Sequence, residues 1–228
     1  MNDLSREEYL EALGLENWQL RTAAVENDAT VADIDRSDVV KTPQIDWETL
    51  NSQIRQCQKC ALAKTRTNVV VGTGAVNADL MFIGEAPGAQ EDLTGEPFVG
   101  KAGKLLNEML FAVGIKRDAV YIANILKCRP PNNRDPSSDE TIQCVGFLQQ
   151  QIALIKPKLI VAVGRIAAQY LLKTTESMGK LRQRLFNYGI QSTPLIVTYH
   201  PAYLLRSPTE KRRAYEDLLF IKDQLSNL

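Results

Sequence analysis

The stretch Asp79-Leu-Met-Phe-Ile-Gly-Glu-Ala-Pro-Gly88 decides how the chain around it folds. Its apolar run is short and bounded by Asp79 and Gly84, which suits a strand buried on both faces better than a helix. Gly84, Pro87 and Gly88 then bend the chain and leave one carboxylate, Glu85, at the tip. The loop at the carboxyl end of a buried parallel strand is where open α/β sheets hold their ligands. Glu85 is therefore expected where chemistry is done.

Outward from this strand the pattern repeats. Apolar runs at 120–126, 159–163 and 195–199 predict three further strands, the second carrying Asn124 near its end and the last delivering His200. Between them the spacing predicts helices over 101–113, ended by Gly114, and from Asp135-Pro136 to about residue 155, with another after Gly164. Ser207-Pro-Thr-Glu210 has the form of a capping box that opens a last helix. Residues 89–97 read as a long polar loop, and 127–136, with three prolines and two arginines, as neither helix nor strand. Strands alternating with helices imply an α/β fold, a parallel sheet covered on both faces. Upstream, 46–56 predicts a helix that runs into Cys57-Gln-Lys-Cys60. Residues 1–45 look separate: a short amphipathic helix over 4–20, then a flexible linker rich in Asp, Thr and Ala.

A chain of 228 residues can bury a substantial core. Lys plus Arg and Asp plus Glu both total 27, so net charge names no partner, and a nucleic-acid surface would need its cations gathered locally. Arg129, Arg134 and Arg206 lie near the predicted strand tips and fit that need. No run is apolar enough to span a bilayer, and the acidic start lacks the pattern of a signal peptide, so a cytoplasmic protein without a membrane partner is expected. In a reducing compartment four cysteines are more often ligands or buried thiols than disulfides. Cys57 and Cys60 form a C-x-x-C pair, while Cys128 and Cys144 come from the Pro-rich loop and the helix after it. Such a set can hold a tetrahedral zinc or an iron–sulfur cluster, and the residues alone leave both open.

His200 is the sole histidine. At a strand end beside Glu85 an imidazole can donate a hydrogen bond to an oxygen that gains negative charge. The Asn124 amide offers one donor and one acceptor, the pair needed to read a uracil-like edge. Phe98 is either a core residue or a platform for a planar ring. No Walker lysine follows the Gly72-Thr-Gly74 turn, which disfavours a nucleotide-phosphate loop.

Taken together, Gly84-Glu-Ala-Pro-Gly88, Gly95-Glu-Pro-Phe-Val-Gly-Lys-Ala-Gly103, Asn124 with Cys128, His200-Pro-Ala and Thr65-Arg-Thr67 resemble the family 4 uracil-DNA glycosylases over about 46–228. The resemblance implies a three-layer α/β/α sandwich around a central four-stranded parallel sheet. It also implies a structural [4Fe-4S] cluster on Cys57, Cys60, Cys128 and Cys144, and a monomer acting on uracil-containing DNA, single- or double-stranded. Carried over by residue, Glu85 and His200 are catalytic, the first toward the attacking water and the second toward uracil O2. Gly84, Ala86, Phe98, Asn124 and His200 contact the base, with Phe98 stacking on it and Asn124 pairing with its O4 and N3–H edge. Glu91 would exclude the thymine methyl, and Leu204 would wedge into the gap left by the flipped nucleotide. Lacking a lysine nucleophile, such an enzyme leaves an abasic site without cutting the strand. A relative that captures uracil-DNA covalently uses a further histidine after the second strand, where this chain has Lys127-Cys-Arg-Pro-Pro-Asn-Asn-Arg134. The remaining alternative is an iron–sulfur module that binds uracil-DNA or nucleotides without turnover.

Overall fold

The computed structural model describes residues 46–228, within the unit Gln44–Leu228. The helix and linker expected over 1–45 lie outside the described residues. Helix α1 (Trp47–Arg55) is capped by Asp46, whose carboxylate accepts from the Thr49 N–H at 2.7 Å. The chain then passes through the first cysteine pair to β1 (Thr73–Gly74) and β2 (Leu80–Gly84), all five residues of β2 being buried. Next come α2 (Ala89–Thr94), α3 (Lys101–Ala112), β3 (Tyr121–Asn124), α4 (Ser138–Ile155), β4 (Leu159–Val163) and α5 (Arg165–Leu172). The short α6 (Met178–Leu181), β5 (Phe186–Tyr188), β6 (Thr193–Thr198), α7 (Pro201–Arg206) and α8 (Lys211–Ser226) complete it.

The sheet runs β1-β3-β2-β4-β6-β5. Its four inner strands are parallel, with Ile83 level with Ala123 and Ala162, and Ala162 level with Val197. The expected four-stranded parallel sheet is thus present, but β1 and β5 add an antiparallel strand to each edge. Both are short and only partly buried, so neither carries the apolar run that marks the inner strands. Side chains alternate between faces. Leu80 and Phe82 pack with Leu106 and Leu110 of α3, Leu204 of α7 and Leu218 of α8. Met81 and Ile83 pack on the other face with Leu148 and Ile152 of α4 and Ala167 and Ala168 of α5.

Three local expectations change. Residues 89–94 form α2 inside what reads as a loop, because polar Gln, Glu, Asp and Thr supply one buried face through Asp92, which accepts from the Thr67 and Asn68 N–H groups. Helix α4 starts after Ser137 rather than at Asp135-Pro136, since Ser137 and Glu140 form a reciprocal capping box. Ser207 makes no side-chain cap: Pro208–Glu210 form a 3-10 turn, and Glu210 pairs with Arg213 at 3.0 Å.

Buried Asp217 of α8 anchors the strand that leads to His200. It accepts from Thr198 Oγ1 at 3.0 Å and from Arg182 Nε at 2.7 Å, while the Arg182 guanidinium lies 4.5 Å over the Tyr199 ring. Removing one member of a buried pair leaves its partner's charge without compensation. Asp217→Ala is therefore expected to lower stability by about 3–5 kcal/mol in denaturant titration.

Candidate functional site

Parallel strands in register end together, and here the chain leaves β2 toward α3 on one face and β4 toward α5 on the other. That divergence opens a crevice at the carboxyl ends of the strands. A cavity of about 780 Å³ lies there, lined among others by Glu85, Ala86, Phe98, Asn124, His200 and Arg206. Asn124, 2% exposed, ends β3 and lines the cavity, and its buried Oδ1 has no hydrogen-bond partner among the described residues. A buried acceptor left unpaired is costly and points to a missing donor. Gly84 does not line the cavity. Any Cβ at that position would collide with Asn124 Oδ1 and come within 2.8 Å of the Phe98 ring, so its role is to leave room for both.

Phe98 is buried, which is the core outcome by area, yet its ring faces the cavity and lies 5.6 Å from the His200 ring, tilted by 33°. Its φ of 54° is left-handed, a strained setting for an aromatic residue. Two groups hold the strain. Glu91 Oε1 accepts from the Val99 and Gly100 N–H groups at 2.9 Å each, and Arg117 Nη2 donates to the Pro97 carbonyl at 2.7 Å. Arg117 Nη1 donates to Asn107 Oδ1, which ties the loop to α3.

His200 caps α7, its Nδ1 accepting from the Ala202 N–H at 3.1 Å. That bond leaves the other ring nitrogen, Nε2, as the N–H donor. Burial, with the nearby Arg206 cation, pulls the imidazole down to about 4 against the opposing pull of Glu91, so it is neutral at physiological pH. Burial pushes the Glu85 carboxyl up to about 7; the Asp135 carboxylate adds to the rise and Arg165 opposes it. Gly164, at φ 92°, lets β4 pass His200 closely, since a Cβ there would come within 2.7 Å of the His200 Cβ.

The four cysteines come together on the far side of Asn124. None is in a disulfide, and Cys57, Cys60, Cys128 and Cys144 line one small hollow beneath α1 and α4. Among the described residues no three His, Cys, Asp or Glu side chains are gathered as a single-ion site. Arg66 Nη1 donates to Cys128 Sγ at 3.2 Å and the Lys127 N–H to Cys144 Sγ at 3.3 Å. Burial raises the Cys128 thiol, against the opposing Arg66, and pushes Cys144 up to about 11, against the opposing Lys127.

A model of the uracil DNA glycosylase superfamily matches residues 71–220. A type-4 uracil-DNA glycosylase of Saccharolobus solfataricus is 44% identical over 182 residues, covering 77% of this chain and 84% of the relative. One of Archaeoglobus fulgidus is 45% identical over 171 residues (72% and 85%), and one of Thermotoga maritima 43% over 167 (73% and 86%). This chain belongs to the uracil-DNA glycosylase superfamily.

Other expected site residues of this glycosylase chain fall differently. Leu204 is 0% exposed and packs in the core under α3 and α8, so it is no wedge; the exposed apolar groups beside it are Tyr203 and Leu205. Glu91 reaches the cavity wall, but its Oε1 is engaged by the Phe98 loop. Arg134 is drawn into a bidentate pair with Glu140, at 2.9 and 2.6 Å, and Arg129 Nε donates to Asn133. Arg206 lines the cavity. Arg117, Arg182, Asp217, Lys127 and Gln151 escape sequence reasoning, because nothing local distinguishes a polar side chain held in the interior from one at the surface. No helix among the described residues is long and apolar enough to cross a membrane.

Because burial raises Glu85 above its ordinary 4.5, the folded state favours the protonated form, and stability declines as pH rises from the unfolded value to about 7. Partial exposure screens the effect. Glu85→Gln is expected to exceed the wild type by about 1–2 kcal/mol at pH 8 and to match it near pH 4, by denaturation at both pH values.

Proposed function

We propose that the chain hydrolyses the N-glycosidic bond of uracil in DNA, releasing uracil and leaving an abasic site. The observation that carries the residue assignment is Asn124, whose buried Oδ1 has no partner among the described residues and which lines the same cavity as Glu85, Phe98 and His200. Extruding the nucleotide costs a few kcal/mol and makes the bond reachable. In the hollow the uracil ring stacks on Phe98, its N3–H donates to Asn124 Oδ1 and its O4 accepts from the Asn124 amide. The backbone at Ala86 flanks the ring, and Gly84 keeps the space clear. Cytosine presents a donor where O4 accepts and leaves the amide mispaired.

Bond cleavage leaves a uracil anion and a sugar cation. His200 Nε2–H donates to O2, and because the imidazole is neutral its donation strengthens as negative charge builds on that oxygen. Glu85, with a pKa of about 7, orients and deprotonates the attacking water, and its carboxylate favours the cation. Among the described residues no lysine lines the cavity, which supports monofunctional hydrolysis. Arg206, at the cavity wall, is placed for a neighbouring phosphate.

A [4Fe-4S] cluster on Cys57, Cys60, Cys128 and Cys144 is the second part of the proposal. The donor set fits: four cysteines line one hollow, and N–H groups donate to two of their sulfurs. Bound there, the cluster would supply a cross-link between α1, the Pro-rich loop and α4, with no part in bond cleavage.

Incubation with a uracil-containing oligonucleotide followed by hot alkali should cleave the strand at uracil; intact DNA overturns the assignment in favour of a binding module. Glu85→Ala is expected to lower kcat by about 10²–10⁴-fold. Wild-type kcat/KM should rise about tenfold per pH unit below 7 and level off above it, as Glu85 loses its proton. For the cluster, purified protein should absorb in the visible and contain iron and labile sulfide, both lost in Cys144→Ala. Stoichiometric zinc in their place would refute it.

A further inference from the structure

Lys127 is a lysine 1% exposed, deeper than any other cation among the described residues, and no step of the hydrolysis uses it. Its ammonium donates to the backbone carbonyl of Asn124 at 2.8 Å and to Gln151 Oε1 at 2.6 Å. Gln151, itself 0% exposed, donates in turn to the Val71 carbonyl at 2.9 Å and lies 3.2 Å from the Tyr121 hydroxyl. The network is enclosed and satisfied, which makes it rigid.

The reason for a donor at this spot lies in the sheet. Beyond β3 the Ile125 and Leu126 N–H groups bond to the Gly84 and Glu85 carbonyls, so the backbone follows β2 past the last ladder residue. In a planar trans peptide the carbonyl points opposite to the N–H of the same unit, so with the Ile125 N–H on β2 the Asn124 carbonyl faces away from β2. On that side β1 has already ended, its register covering Ile122 and Tyr121 but not Asn124. The Lys127 ammonium takes the place of the missing strand. It thereby holds the peptide of Asn124, which lines the cavity and whose Oδ1 has no partner among the described residues.

We propose that Lys127, braced by Gln151, is a positioning residue that holds the Asn124 amide at the angle required to read uracil. The proposal rests on Asn124 being the uracil-reading group. Lys127 touches no reacting atom and acts on the base through Asn124; it also lines the cysteine hollow, so loading is checked beside activity. Its contribution is therefore felt by the base and not by the DNA backbone, and it vanishes when the amide is absent.

The test uses the full chain carrying its metal centre, with visible absorbance per chain as the check on loading. Lys127→Met, Asn124→Ala and the double variant are compared in kcat on a uracil oligonucleotide, in inhibition by free uracil, and in affinity for an abasic-site oligonucleotide. Lys127→Met should lower kcat and weaken uracil inhibition by about tenfold or more, the scale of one hydrogen bond to a charged group, while abasic-site affinity stays within about twofold. Added to Asn124→Ala, it should cost less than about twofold more. Unchanged uracil inhibition in Lys127→Met, or a full second loss in the double variant, overturns the proposal. If Lys127→Met fails to fold or to load, Gln151 decides: Gln151→Leu, which removes the acceptor, should weaken uracil inhibition, and Gln151→Glu, which keeps it, should not. Equal behaviour of those two variants refutes the role. An Asn124→Ala protein as active as wild type sinks the uracil-reading assignment and the proposal with it, whereas an impaired Asn124→Ala beside an intact Lys127→Met sinks the positioning role alone.

Discussion

The inner sheet imposes one constraint on everything else: four parallel strands, paired in register, have to stop on the same edge. Gly84, Asn124, Val163 and Thr198 end those strands, and the residues after each of them are delivered to one crevice. Helices leave that edge on opposite faces from β2 and β4, which keeps the crevice open. Residues more than a hundred positions apart, Glu85 and His200, line one cavity for this reason and no other.

The crevice is bounded by groups that the fold would otherwise avoid. A carboxyl is half-buried, which holds its proton to near neutrality, an aromatic residue sits at a left-handed φ, and an amide oxygen is enclosed with no partner among the described residues. Each is unfavourable taken alone, and such features collect where function requires them. Their support is equally specific. Glu91 and Arg117 grip the backbone on either side of Phe98, and Gly84 and Gly164 yield the space their Cβ atoms would fill. Asp217 and Arg182 secure the end of β6 before His200.

Five residues, Asn124 to Cys128, connect this crevice to the cysteine hollow. Their backbone extends the pairing with β2, their lysine fills the gap where β1 ends, and their last member is a thiol that Arg66 bonds. Whatever fixes the cysteines also fixes the stretch on which Asn124 stands. That gives the cysteine hollow a reason to lie next to the cavity to which we assign the catalytic groups.

Sequence alone determined the inner strands, since runs such as Leu159–Val163 are apolar enough to be buried on both faces and short enough to be bounded by turns. It determined the strand-tip identity of Glu85, Asn124 and His200, because tips follow from strands. It also determined family membership, through motifs in a kept order, and the relatives bear this out. Edge strands were invisible in it: Thr73–Gly74 and Phe186–Tyr188 have no buried face to write a pattern. Leu204 against Leu205 was beyond its reach as well, because two adjacent leucines differ only in which way the helix turns them. The same holds for Lys127, whose side chain looks like any surface cation in the chain. Only the tertiary structure decided it, by closing a sheet edge over an ammonium and giving it a carbonyl to hold, since burial and pairing are properties of neighbours and not of the residue itself.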